Sequence, residues 1–151
     1  IYRQYKEEVV DDGEALPLDV CFVLRDGSDV TLVTWGSQVK EALEAADALA
    51  KDGISAEVID VATVKPLDFD TIHESVKKTG RCVIVHEAPR TAGFGAEIAA
   101  QLAEKAMYDL VAPVERVTGY DTHIPLFRLE MKYLPSVDKI VAAAKRTLAA
   151  S

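Results

Sequence analysis

The feature that most constrains this chain is an alternation. Three short runs, 29–35 (DVTLVTW), 56–61 (AEVIDV) and 81–86 (RCVIVH), carry too many apolar and β-branched residues for a sheet with one wet face. Each is followed by a stretch with helical apolar spacing. Strands without a polar face need cover on both sides, and parallel strands joined by helices receive it. After the first run, Gly36 and Ser37 open a helix with Ser37 in the N-cap place. Ala42, Leu43, Ala46, Leu49 and Ala50 form its apolar stripe, and Gly53 closes it. After the second run, Asp68 and Asp70 lie at a helix start, where negative charge suits the dipole. Ile72 and Val76 give that helix its buried side, and it ends at 77–80 (KKTG).

The third run leads through a glycine-spaced loop to a helix bearing Ala96, Ile98, Ala99, Leu102, Ala103 and Ala106. A fourth strand is expected at 114–118, between Pro113 and Gly119, followed by irregular chain over 119–127. Pro135 and Ser136 start a last helix, with Ile140, Val141, Ala144 and Leu148 on its apolar side. The short run 20–24, tied to the next strand by the turn 25–29 (RDGSD), is expected as an antiparallel edge. There is no internal repeat. The fold class is α/β, one domain over 18–151, preceded by a linker over 1–17 with Asp12-Gly13 and Pro17 as its turn formers.

With 151 residues, 49% hydrophobic and 28% charged, the chain can bury a real core and is not disordered. No apolar run approaches the roughly 20 residues of a membrane span. The opening IYRQYKEEVVDDGE shows no signal peptide's apolar stretch, and from the start at Ile1 the chain is expected to be a piece of a longer polypeptide. A net charge of −8 excludes a nucleic-acid partner; it suits a basic protein partner and equally serves solubility. Cys21 and Cys82 sit in apolar runs, which suits reduced, buried thiols, and their spacing offers no metal motif.

The stretch 83–104 (VIVHEAPRTAGFGAEIAAQLAE) falls where open α/β sheets bind ligands, at a strand's carboxyl end. It contains neither G-x-G-x-x-G nor G-x-x-x-x-G-K-[ST], so a nucleotide cradle is disfavoured. Gly93 and Gly95, flanking Phe94, read instead as positions of positive φ or close approach. His86 and Glu87 are neighbours on a strand and so point to opposite faces, which rules out a ready dyad. His86 is expected as a polar contact at the strand end, His73 on the wet side of its helix, and His123 as a loop contact. No nucleophile elbow, serine triad or metal-ligand spacing is present, and the chain lacks a complete active site.

The succession GSDVTLVTWG (27–36), AEVIDVATVKPLD (56–68), KTGRCVIVHEAPRTAGFGAEIA (78–99) and RVTGYDTHIP (116–125) resembles the transketolase C-terminal domain. More narrowly it resembles the β subunit of the thiamine-diphosphate-dependent decarboxylating component of 2-oxo acid dehydrogenase complexes. The opening IYRQYKEEV is similar to the connection leaving that subunit's N-terminal pyrimidine-binding domain. HEAP with its small-residue-Gly-Phe loop, and GYDT, are most similar to the branched-chain (2-oxoisovalerate) enzyme; a pyruvate dehydrogenase is the alternative. The resemblance implies a three-layer α/β/α domain with a five-stranded mixed, mostly parallel sheet. It implies a parent heterotetramer of two α and two β subunits that uses thiamine diphosphate with magnesium and passes an acyl group to a lipoyl-acyltransferase. The cofactor-activating glutamate belongs to the other β domain, so this piece is expected to be inactive alone, to bind no cofactor, and to serve subunit pairing and docking of the acyltransferase's subunit-binding domain.

On that reading Tyr120, Asp121 and Glu130 are candidates for docking contacts. His86, Glu87, Arg90 and Phe94 are candidates for packing against the missing domain or another subunit. No catalytic, cofactor-binding or metal-binding residue is assigned. The compartment implied is the cytoplasm in a bacterium and the mitochondrial matrix in a eukaryote. Two rival readings are another enzyme of the transketolase group and a standalone nucleotide-binding module; the second needs a phosphate loop after the first long strand, where Gly36-Ser37 is too sparse.

Overall fold

The structure, a computed structural model, describes residues 8, 10–13 and 15–150. The expected linker over 1–17 lies partly outside the described residues, and the stretch that resembles an inter-domain connection, 1–9, lies outside them except for Glu8.

Five strands form one sheet in the order β1-β3-β2-β4-β5. They are β1 (Phe22–Arg25), β2 (Val30–Thr34), β3 (Ala56–Asp60), β4 (Cys82–Pro89) and β5 (Glu115–Gly119). β2, β3, β4 and β5 run parallel, and β1 joins antiparallel at the edge. β1 pairs with β3, although the RDGSD turn joins it to β2. The helices are α1 (Gln38–Lys51), α2 (Phe69–Thr79), α3 (Phe94–Lys105), a one-turn α4 (Glu130–Tyr133) and α5 (Val137–Ala149). A 3-10 turn at Met107–Asp109 and α4 were not anticipated, since segments this short carry no periodicity.

Strand parity sorts the core into two layers. Val30, Leu32, Val58, Val83 and Val85 face α1 and α5. Val33, Ile59, Cys82 and Ile84 face α2 and α3. All these residues are fully buried, so both faces of the central strands are covered, as the apolar runs require. Polar side chains that share the second layer are paired: Thr31 Oγ1 lies 2.7 Å from Ser75 Oγ and 2.8 Å from Thr79 Oγ1. Glu57, 2% exposed at the start of β3, accepts from the Gly27 amide and meets Lys78 Nζ.

Asp68, expected near this helix start for its charge alone, caps α2, accepting from the Thr71 amide at 3.2 Å. Gly53, with φ +77°, follows the end of α1. Ser37, by contrast, does not cap α1: its backbone is already helical, and its hydroxyl donates to Glu87 Oε2 at 3.1 Å.

Candidate functional site

β4 continues three residues beyond the expected stop at His86 and ends at Pro89. The same parity that buries Ile84 carries His86 toward α3 and leaves Glu87 on the α1 side. His86 is only 2% exposed. Its ring stacks on Trp35, with centroids 5.2 Å apart and planes 13° from parallel, while Phe94 meets Trp35 edge-on at 5.6 Å. Gly93 and Gly95 make room for it. A Cβ on Gly95 would stand 2.4 Å from His86 Nε2, and one on Gly93 would stand 2.7 Å from His86 Cε1 and 2.4 Å from the Pro89 carbonyl. Close approach, not positive φ, is therefore what these glycines supply; the left-handed residue of the loop is Ala92, at φ +60°.

The expectation of His86 as a polar contact is overturned. Neither ring nitrogen has a hydrogen-bond partner among the described residues. Burial pushes the imidazole below its usual value, and the nearby Arg116 charge adds to the shift. A neutral ring walled in by Trp35 and two glycines reaches no substrate here. It acts as a spacer that sets the height of the loop over the sheet. His73 is half-exposed on its helix, and it has partners there: its Nε2 lies 2.7 Å from Asp109 Oδ2, and its ring leans on Phe69. His123 is exposed in the irregular segment.

The two loops singled out by sequence are clasped together. Arg90 Nη1 donates to the Arg116 carbonyl at 3.0 Å, and Arg116 Nη1 donates to the Arg90 carbonyl at 3.0 Å. Asp121 accepts from the Thr91 amide at 2.8 Å and from its hydroxyl at 2.7 Å. These bonds, the backbone one first, hold the exposed Asp121 carboxyl below its usual value. Tyr120, 56% exposed, packs edge-on against Tyr133, whose hydroxyl donates to the Tyr120 carbonyl at 3.1 Å. Gly119 admits that approach: a Cβ there would lie 2.5 Å from the Tyr133 hydroxyl and 2.5 Å from the Glu87 carbonyl.

Two clefts flank this clasp. One, of about 400 Å³, is lined by Arg90, Arg116, Lys139 and Arg146 with Asp121. The other, of about 750 Å³, lies between the start of α1 and α4 and is lined by Gln38, Glu41, Glu87, Glu130 and Met131. Sequence reasoning named Glu87 and Glu130 but missed Gln38 and Glu41, which the periodicity places only as helix positions. It also missed Trp35, whose signal was an aromatic residue at a strand end. Among the described residues no group of three or more acidic, histidine or cysteine side chains is placed to hold a metal. Burial pushes the thiols of Cys21 and Cys82 up to about 12, Asp68 and Asp60 adding at Cys21, so both stay protonated and inert, as the apolar runs implied. No helix of the described residues is long and apolar enough to cross a membrane.

The pyruvate dehydrogenase E1 component subunit beta of Staphylococcus epidermidis is 46% identical over 148 residues, 98% of this chain. That of Staphylococcus aureus is 44% identical over the same span. Both alignments cover 46% of the relative, so the chain spans about half the length of the curated relatives it matches. A solved split-gene transketolase, described as an inactive beta4 tetramer, superposes with a TM-score of 0.80 at 34% identity, over 95% of this chain and 46% of that one. A 2-oxoglutarate:ferredoxin oxidoreductase from Magnetococcus marinus shares the fold alone, with a TM-score of 0.56 at 14% identity, over 85% of this chain and 19% of that one. The family model described as transketolase, C-terminal domain, matches residues 20–140, and with the sheet order and the clasped loops in place the chain belongs to the transketolase C-terminal domain family.

Proposed function

We propose that this chain is the C-terminal domain of the β subunit of a thiamine-diphosphate-dependent 2-oxo acid dehydrogenase, and that its work is assembly. The observation that carries the reading is the 46% identity to a pyruvate dehydrogenase β subunit, running over 98% of the chain. The same relatives favour pyruvate over the branched-chain 2-oxo acid suggested by HEAP and GYDT. They are bacterial proteins, which favours the cytoplasmic alternative.

The residues present do not fit thiamine diphosphate. The glycine loop that resembles a phosphate cradle is filled by the His86 ring, and no group of three or more acidic, histidine or cysteine side chains is placed to hold a metal among the described residues. Cofactor chemistry is therefore assigned to the rest of the enzyme, and no catalytic step to this domain. Pairing of β subunits is supported by the likeness to a transketolase solved as a tetramer of β chains. His86, Phe94 and Arg90 act in that pairing by fixing the 86–95 loop, because His86 itself presents almost no surface. Tyr120, Asp121, Glu87 and Glu130 lie at or beside the rim that an α subunit, a second β subunit or the acyltransferase's subunit-binding domain would meet.

The test is turnover by the whole β subunit purified with its α partner. Pyruvate is expected to be decarboxylated in preference to 2-oxoisovalerate. The reverse preference would reinstate the branched-chain reading, and no activity on either acid by a folded heterotetramer would remove the 2-oxo acid dehydrogenase assignment.

A further inference from the structure

The cleft between α1 and α4 has a chemistry that nothing above uses. Three glutamates line it, Glu41 from the first turn of α1, Glu87 from β4 and Glu130 from the first turn of α4. One of them is already short of partners: Glu41 Oε2 is buried with no hydrogen-bond partner among the described residues. Gln38, 3% exposed on the same wall, has its Oε1 buried and unpartnered as well. Glu87 spends one oxygen on the Ser37 hydroxyl. The cleft is thus rich in acceptors and short of donors, and buried acceptors without donors carry a desolvation penalty that a bound group relieves.

No cluster of acidic side chains among the described residues is tight enough to hold a metal ion, so a point cation does not satisfy these oxygens together. A guanidinium, planar and with five donors spread over a fork, serves several separate acceptors at once. The opening of the cleft is apolar: Ile124 and Met131 are 67% and 78% exposed and both line it. An arginine on a polypeptide reaches such a site with apolar neighbours that cover this rim.

We propose that this cleft receives an arginine side chain of a partner polypeptide, its guanidinium bound by Glu41, Glu87 and Gln38 and the flanking residues of the partner seated on Ile124 and Met131. The inference rests on the acceptors and the cleft, and it stands whichever enzyme the whole chain belongs to.

The test is an NMR titration of the isotope-labelled 151-residue chain with the capped tripeptide Leu-Arg-Leu, and with the same tripeptide carrying citrulline, the uncharged isostere of arginine. Saturable shifts confined to 37–41, 87–89 and 130–134, including the Gln38 side-chain amide, are expected with arginine and absent with citrulline. Glu41→Gln and Glu87→Gln, each with an otherwise unchanged spectrum, are expected to weaken binding about tenfold, the factor carried by one charge-assisted hydrogen bond. The proposal is overturned by no saturation up to about 10 mM peptide, by an equal response to citrulline, by shifts mapping to another surface, or by unchanged affinity in both variants.

Discussion

Gly95→Ala puts the account of the loop to its sharpest test. Gly95 is the second residue of α3, where alanine is ordinarily the better helix former by about 1 kcal/mol. Propensity alone therefore predicts a stabilised protein. The packing predicts the opposite, because the added methyl would stand 2.4 Å from His86 Nε2, 2.5 Å from His86 Cδ2 and 3.0 Å from Ile84 Cγ2. Restoring ordinary contact requires the imidazole to slide by about 1 Å, and it is stacked on Trp35. Overpacking of this kind costs about 1–3 kcal/mol, so after the helix gain of about 1 kcal/mol the net loss is at most about 2 kcal/mol. In a chain of 151 residues that lowers Tm by up to about 5 °C. Urea unfolding read by Trp35, the only tryptophan, measures both the loss and any change in the stack. A double-mutant cycle with His86→Ala should then show a coupling of about 1–2 kcal/mol, since removing the ring removes the clash. Gly36→Ala is the contrast: φ is +59° with no atom near the added methyl, so its cost is strain alone and is additive with His86→Ala. A Gly95→Ala protein stabilised by the full helix gain of about 1 kcal/mol, or a cycle that closes additively, would refute the claim that His86 dictates this glycine.

Further outcomes follow from the same geometry. Because burial depresses the His86 pKa below 6.5, the unfolded chain binds a proton there before the folded one does; stability from this group is present above about pH 6.5 and falls as pH drops below it. Urea titrations from pH 7 to about pH 5 should show that slope, at most about 1.4 kcal/mol per pH unit, and His86→Phe should flatten it; an unchanged slope would mean that other groups titrate. Asp121→Ala removes both bonds to Thr91, so amide exchange at Thr91 should quicken about tenfold with the rest of the sheet unaffected. Equal exchange would show that the Arg90–Arg116 pair holds the loop without help. Lys78→Met strands the Glu57 carboxylate, whose side chain is 3% exposed, and should destabilise by about 1–3 kcal/mol, less than a fully buried pair because Lys78 is 46% exposed. Adding Glu57→Gln should recover more than half of that loss in thermal melts.

The sheet was legible because parity and burial leave their mark directly on the residues. VTLVT and CVIV admit no wet face, and the helices between them carry stripes that match. The edge strand was legible as an edge, yet its partner was not: the pairing of β1 with β3 is a contact across the sheet that the RDGSD turn does not encode. The site was legible in its parts only. Adjacent positions on a strand told that His86 and Glu87 diverge, but whether the inward residue meets a polar group or an aromatic ring depends on Trp35, fifty-one residues earlier in the chain. Ser37 has the residue type of a cap and the hydroxyl goes elsewhere, because Glu87 arrives from the neighbouring strand to accept it. Contacts between distant segments decide such choices, and local propensity is silent on them.

The net charge shows most clearly what the sum over a sequence conceals. A total of −8 suits a basic partner, and nothing in the total says where that partner would sit. In the fold the charges separate at the end of β4. Glu87 turns to a cleft shared with Glu41 and Glu130, and three residues later Arg90 turns to one shared with Arg116, Lys139 and Arg146. A surface that presents both signs so close together selects a partner by the order of its charges rather than by its net charge, since a reversed arrangement sets like against like in both clefts. Rim charges of this sort act mainly on the rate of encounter, and with opposite signs side by side their long-range fields partly cancel. Docking at this end of the domain should accordingly depend less on salt than the total charge suggests, while reversal of a single glutamate should cost far more affinity than its share of −8 implies.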